Sequence, residues 1–302
     1  MLVTGPEKEA GLSMPDAPIF LTYDRAALDR QYNNQQRVPD FAEHVARWQR
    51  LSAEVRAGLP GKLDVAFGPS AEEVLDIYAP RVAGPAPVQV FFHGGYWRAF
   101  RSSDFAFVAP PLVGAGAVAV IVNYALVPSV RLGELVRQCR AALAWVHANI
   151  ARYGGDPARL YISGHSAGGH LVASLTAMAP KPGEPDTRPL VKGGVALSGL
   201  YDLAPIALCY LQETLALTAD EVAAYSPARH VPTQAAPLVL AYGADESEEY
   251  ARHSTSYGKA LAERGIDCTV KPLAGLNHMS IGSALADAKS APMRLILGQM
   301  GL

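Results

Sequence analysis

Three side chains far apart in this sequence could together carry out acyl transfer: Ser166, Asp245 and His278. A serine hydroxyl is a weak nucleophile until a base takes its proton. Histidine can be that base near neutral pH, and a carboxylate can hold the imidazole in the right tautomer. Ser166 lies in the run Gly164-His165-Ser166-Ala167-Gly168, Asp245 follows the apolar stretch "PLVLAYG", and His278 follows "CTVKPLAG". The order serine, acid, histidine belongs to sites whose serine stands on a sharp strand-to-helix turn. Gly-x-Ser-x-Gly is common by composition in a chain with 27 glycines, so it carries weight only in that setting.

The setting is present. "LYISG" reads as a buried strand, and "AGGHLVASLTAMA" reads as a helix with no breaker after its first turn. A second element points the same way: the apolar run "PVQVFF" ends in His93-Gly94-Gly95-Tyr96-Trp97. Two glycines at a strand end free backbone N–H groups to face a cavity, as stabilising a tetrahedral oxyanion requires. Gly94 and Gly95 are therefore candidate donors, with the N–H of Ala167 at the helix start. His93 precedes this turn and reads as structural. Tyr96 and Trp97 are candidate substrate-binding residues, bulky enough to limit the acyl side or stack on an aryl leaving group.

Several rivals are weighed against these. Asp202, in "LSGLYDL", also follows a strand and competes for the acid's place. Glu246 and Glu248 read as helix-start charges, and Asp156 as a turn residue. His44, His147 and His253 fall in helical pattern without a catalytic setting. His165 and His170 flank the serine and read as packed or capping groups.

The elements that must position these residues alternate. Two helical segments over 24–57 come first, the second with Phe41, Val45, Trp48 and Leu51 on one face and Asp40 as its N-cap. "KLDVAFG" and "EVLDIYAP" then read as an antiparallel pair. From residue 87, short strands that are apolar on both faces alternate with helical stretches at 131–153, 167–179 and 247–264. This is the pattern of an α/β fold with a mostly parallel central sheet flanked by helices. The stretch 199–232 interrupts the alternation and reads as a small cap insertion over the sheet's C-terminal edge. The expected organisation is a flexible tail over 1–18, with Met1 or Met14 as the start, and a single domain over 19–302.

Composition narrows the function. Half of the residues are hydrophobic, 18% are charged, and the net charge is −2, which suits a globular chain and offers no basic field for nucleic acid. No apolar run is long enough for a membrane span, and the start lacks a secretory pattern. Cys139, Cys209 and Cys268 are odd in number and widely spaced, as expected of reduced thiols in a cytoplasmic protein. "GAGAVA" at 114–119 leads into a strand, whereas a dinucleotide-binding motif must open a helix. No His-Glu-x-x-His, paired Cys-x-x-Cys or P-loop is present, so neither metal nor cofactor is expected. The expected partner is a small-molecule substrate, with room for a homodimer.

From about residue 60 onward the chain resembles the α/β-hydrolase superfamily. More narrowly, "HGGYW" with "GHSAGG" looks like the kynurenine formamidase (arylformamidase) group, a neighbour of the hormone-sensitive-lipase-like esterases. "SGLYDL", "YSPARH" and "AYGADESEEYARHSTSY" are similar to that group's cap and acid-loop sequences. The resemblance implies Ser166, Asp245 and His278 as triad and Gly94, Gly95 and Ala167 as oxyanion donors. It also implies an aryl formamide substrate such as N-formylkynurenine, and hence tryptophan catabolism. Where the lipase-like esterases carry an aspartate and an arginine around a tyrosine, this chain reads "NYALVP", which argues against a plain member of that group. A carboxylesterase for small acyl esters is the alternative within the class, and an inactive hydrolase-fold binding protein the alternative outside it.

Overall fold

Every residue of strands β3 (Ala86–Phe92) and β4 (Val118–Val122) is buried. Successive side chains of a strand point to opposite faces, so such strands need cover on both sides. Val88, Val90 and Phe92 join Val118, Val120 and Val122 in one apolar cluster, while Phe91 joins Ala119 and Ile121 in a second. The computed structural model describes residues 17–302. The tail expected over 1–18, and with it the choice of start, lies almost wholly outside the described residues.

The other strands are β1 (Lys62–Ala66), β2 (Val74–Tyr78), β5 (Gly155–His165), β6 (Val191–Leu197), β7 (Leu238–Gly243) and β8 (Cys268–Leu273). They form one sheet in the order β1-β2-β4-β3-β5-β6-β7-β8. The pairings β1–β2 and β2–β4 are antiparallel, and the rest are parallel. The expected antiparallel pair and the parallel sheet after it are both present. On one face, helices Leu132–Asn149, Ala167–Ala177 and Glu248–Glu263 supply Leu143, Leu171 and Leu261 to the first cluster. On the other, helices Phe41–Gly58, Ala109–Gly114 and Ala291–Gln299 supply Trp48, Leu112 and Ile296 to the second. "GAGAVA" closes a helix and enters β4, as read from the sequence.

The N-terminal helical segments form helices Arg25–Tyr32, Asn34–Arg37 and Phe41–Gly58. Asp40 stands at the expected N-cap position, but its side chain makes no capping bond. Its carboxylate instead lies 3.3 Å from His44 Nε2, one turn along. The stretch 199–232 holds three short α-helices, Ala204–Leu208, Gln212–Leu215 and Ala219–Tyr225, and a 3₁₀ turn, Pro227–Arg229.

Candidate active site

Ser166 sits between β5 and helix Ala167–Ala177, with φ 58° and ψ −118°, a left-handed conformation that non-glycine residues rarely adopt. Its N–H donates to Leu197 O at 2.8 Å and its carbonyl accepts from His170 N at 3.1 Å, so the turn is held from both sides. The flanking glycines are required by contact. A Cβ on Gly164 would lie 2.3 Å from Gly168 O, and one on Gly168 would lie 2.0 Å from Phe92 O. Only bare backbone lets β5, the helix start and β3 approach this closely.

His278 opens helix His278–Ser283. The side-chain oxygen of Asn277 accepts from the N–H groups of Met279 and Ser280 at 2.9 and 2.8 Å. This cap fixes the histidine at the sheet's C-terminal edge. There His278 Nε2 lies 3.0 Å from Ser166 Oγ, and Nδ1 lies 2.5 Å from Glu246 Oε1. The geometry gives Nδ1 the proton and leaves Nε2 as acceptor for the serine hydroxyl. Glu246 is itself held: Oε2 accepts from Gly243 N at 2.6 Å and from Ser198 Oγ at 2.9 Å.

The expectation of Asp245 at this position is therefore corrected. Asp245 is exposed, its N–H donates to Leu276 O at 3.1 Å, and the carboxylate on His278 Nδ1 is that of Glu246. Glu246 comes one residue later in the turn after β7, and its longer side chain folds back over Gly243. It is not a helix-start charge, because the helix begins at Glu248 with Ser247 as cap residue. A serine immediately before "EEY" was the available signal that Glu246 lies outside the helix. Asp202 is also remote from the histidine: its carboxylate accepts from Ala204 N at 3.1 Å and lies 3.9 Å from Arg229.

Gly94 and Gly95 line the cavity with Ser166. Among the described residues, the N–H of neither donates to a backbone carbonyl. Ala167 is the first residue of its helix, so its N–H has no intrahelical acceptor. Beyond them the loop is strained. Tyr96, Trp97 and Phe100 all have left-handed φ, at 48°, 58° and 71°, each at a cost of ~1–3 kcal/mol. Two bonds to Gly95 O, from Arg98 N and Ala99 N at 3.0 Å, hold the loop closed.

This loop separates Tyr96 from Trp97. Tyr96 lines the cavity, and its hydroxyl donates to Tyr32 O at 2.7 Å and meets Tyr250 O–H at 2.6 Å. Trp97 is fully buried and does not line the cavity, which corrects its reading as a substrate contact. Its Nε1–H donates to His170 Nδ1 at 3.2 Å, and His170 Nε2 lies 2.7 Å from Tyr225 O. Burial lowers the pKa of His170 to about 4 and of His93 to about 4, so both are neutral packing groups, as expected.

His165 is also buried, but it reaches the cavity. It lines the cavity with its ring centroid 4.7 Å from that of His278, and the Tyr250 ring lies 4.5 Å from His278. Among the described residues its buried Nε2 has no hydrogen-bond partner. Burial first, and the neighbouring His278 second, push its pKa well below the usual range. His278 is thus flanked by two neutral rings that limit how it can tilt.

The cavity has a volume of about 340 Å³. Its outer wall comes mainly from the N-terminal helices, through Asn34, Gln35, Phe41, Val45 and Trp48, whereas 199–232 contributes Tyr210. Sequence patterning identified the Phe41-Val45-Trp48 face as apolar but not what it covers. Ser283, on the helix that His278 opens, fastens this wall. Trp48 Nε1–H donates to Ser283 Oγ at 2.7 Å, and His44 Nδ1 lies 2.6 Å from the same oxygen. Among the described residues, no group of three or more His, Cys, Asp or Glu is placed to hold a metal, and no helix is long and apolar enough to cross a membrane.

The family model for the alpha/beta hydrolase fold matches residues 89–281. The kynurenine formamidase of Danio rerio is 31% identical over 264 residues, covering 85% of this chain and 88% of that protein. The kynurenine formamidase of Salmo salar is 29% identical over 286 residues, covering 92% and 95%. A crystal structure from Silicibacter sp. superposes with a TM-score of 0.77 at 25% identity, covering 91% of this chain and 99% of the other.

Proposed function

We propose, from the premise that this chain belongs to the α/β-hydrolase family, that it is a serine hydrolase cleaving a small aryl formamide of the N-formylkynurenine type. The observation that carries the reading is the relay Ser166 Oγ, His278 Nε2, His278 Nδ1, Glu246 Oε1, with steps of 3.0 and 2.5 Å. It opens on a cavity whose lining includes the rings of Phe41, Trp48, Tyr96, Phe100, Phe105 and Tyr210.

In this reading Ser166 Oγ attacks the formyl carbon while His278 Nε2 takes its proton. Glu246 holds the imidazole and stabilises its cation. The carbonyl oxygen becomes an oxyanion facing the N–H groups of Gly94, Gly95 and Ala167. An aryl amine leaves poorly unless protonated, so the imidazolium returns the proton to nitrogen as the C–N bond breaks. Water, deprotonated by His278, then attacks the formyl ester of Ser166 and formate departs. A formyl group needs little room beside Ser166, where the loop carrying Gly94, Gly95 and Tyr96 lines the cavity.

The formamide assignment draws support from the two kynurenine formamidases named above and from the aromatic wall. The segment 199–232, through Tyr210, and the N-terminal helices together act as the cap. Two buried cysteines and one half-buried, none in a disulfide, fit a reducing compartment such as the cytoplasm. The test is kcat/KM for N-formylkynurenine beside p-nitrophenyl acetate and butyrate. The reading expects formamide cleavage with release of formate and a steep fall from acetyl to butyryl. Rates that climb with acyl length, with no formamide cleavage, assign the site to a carboxylesterase.

A further inference from the structure

We infer that Arg98 is a specificity-determining residue that binds the carboxylate of an anionic substrate, so that the site prefers an aryl substrate bearing an acid group over its uncharged analogue. The inference rests on the serine-hydrolase reading of the site but not on the formamide assignment. Among the described residues, Arg98 is the one side chain lining the cavity with Ser166 that carries a permanent charge. Among the described residues, no aspartate or glutamate oxygen lies within ion-pair distance of it. Its recorded side-chain bond is to a neutral group, Nη1–H donating to Thr214 Oγ1 at 2.7 Å, and its guanidinium lies 5.8 Å from the centre of the Tyr210 ring.

A guanidinium carries five N–H donors in a planar fork that matches a carboxylate in two parallel bonds. Thr214 uses one of them. The nearby acid, Asp29, is engaged elsewhere, accepting from Tyr210 N at 2.7 Å and lying 3.9 Å from Arg25. The facing wall offers Asn34, Gln35 and Tyr210, all neutral. A cation partly withdrawn from water gains from a counter-charge, which an incoming carboxylate supplies, while the Tyr210 ring offers only a modest cation–π attraction. The backbone is built to present it: Arg98 lies between left-handed Trp97 and Phe100, and strain of this kind persists where the surroundings impose it. Thr214 holds one end of the guanidinium, and Arg98 lines the cavity that holds Ser166. An amino-acid head group brings such a carboxylate, and the amide and phenol oxygens of the facing wall can accept from its ammonium.

The experiment compares matched pairs. The first pair is N-formylkynurenine, a zwitterion, and its decarboxylated analogue, which keeps only the ammonium. The second is 3-(4-acetoxyphenyl)propanoate and 4-ethylphenyl acetate, which differ in charge but share the acetyl ester. The ratio of kcat/KM, with the carboxylate over without it, is measured for the wild type, Arg98→Met and Arg98→Lys. The expected ratio is ~10-fold or more in the wild type, the size of a charge-assisted hydrogen bond. It should collapse toward one in Arg98→Met, mainly through KM, and survive in part in Arg98→Lys. Calorimetric titration of Ser166→Ala protein with both formamides, with and without Arg98→Met, reads the same preference without turnover. Esters cleaved with a charge preference, but no formamide cleavage, would remove the formamide assignment and leave Arg98 in place. A wild-type ratio near one, equal losses on both members of a pair in Arg98→Met, or equal binding of both formamides overturns the inference and reduces Arg98 to a tether between loop and cap.

Discussion

Glu246 Oε1 lies 2.5 Å from His278 Nδ1, while Asp245, its neighbour in sequence, is exposed. Because Glu246 also accepts from Gly243 N and Ser198 Oγ, its carboxylate is fixed before any substrate arrives. Glu246→Gln should lower kcat on the order of 10⁴-fold, the known effect of leaving such an imidazole in the wrong tautomer. Asp245→Asn should stay within a few-fold of the wild type. The reverse ranking would falsify the assignment of the acid.

Ser166 should be the single covalent site. A fluorophosphonate is expected to add one label per chain, located by peptide mass spectrometry at Ser166. Ser166→Ala should lose both label and turnover. Labelling at another serine would place the chemistry elsewhere.

The oxyanion donors can be tested sterically. A Cβ on Gly94 would lie 2.9 Å from His165 O and 3.1 Å from Ser166 Cβ, so Gly94→Ala must move the loop away from the serine. The expected result is a fall in kcat of ~10²–10³-fold, the worth of one misplaced donor, with KM little changed. If kcat holds within a factor of two, Gly94 does not serve the oxyanion.

Stability should fall with acid in a defined window. His93 and His170 protonate near pH 4 in the folded chain because burial disfavours their charged forms, and burial also pushes His165 and His253 well down. Unfolded histidines protonate near ~6.5, so unfolding takes up protons between about pH 6.5 and 4. Stability is full above that window and drops as pH falls through it, by ~3 kcal/mol for a histidine such as His170. Urea unfolding at pH 7, 5.5 and 4.5 should show this. In His170→Gln the proton uptake on unfolding should shrink by about one, and an unchanged slope would contradict the buried-neutral state of that ring.

The N-terminal wall hangs on Ser283. Ser283→Ala leaves Trp48 Nε1–H and His44 Nδ1 without their shared partner, and Trp48 is buried. A loss of ~1–3 kcal/mol is expected, as for an orphaned buried donor, and urea midpoints would measure it. KM for an aryl substrate should rise more than kcat falls, since the wall borders the cavity and does not touch the proton relay. A fall in kcat at constant KM would instead tie the wall to the chemistry.

Local sequence was enough to place Ser166 on its turn, because a strand, two small residues and an unbroken helix are set by nearest-neighbour sterics. The sheet was legible for a related reason: β3 and β4 are apolar on both faces, a pattern that only a doubly covered strand requires. His278 followed from chain order along the sheet edge. What local sequence could not decide was which of several acids, one residue apart, turns toward that histidine. That depends on the turn after β7 and on Ser198, a neighbour from another strand's end. Nor could it separate Tyr96 from Trp97, adjacent residues that a left-handed loop sends respectively to the cavity and to the core. The outer wall was equally hidden. Phe41, Val45 and Trp48 were visible as an apolar face, but only tertiary packing, through one hydroxyl of Ser283, brings that face over a serine more than a hundred residues away. Amphipathic periodicity records that a face is buried; the partner that buries it is set by long-range contacts that a local pattern does not contain.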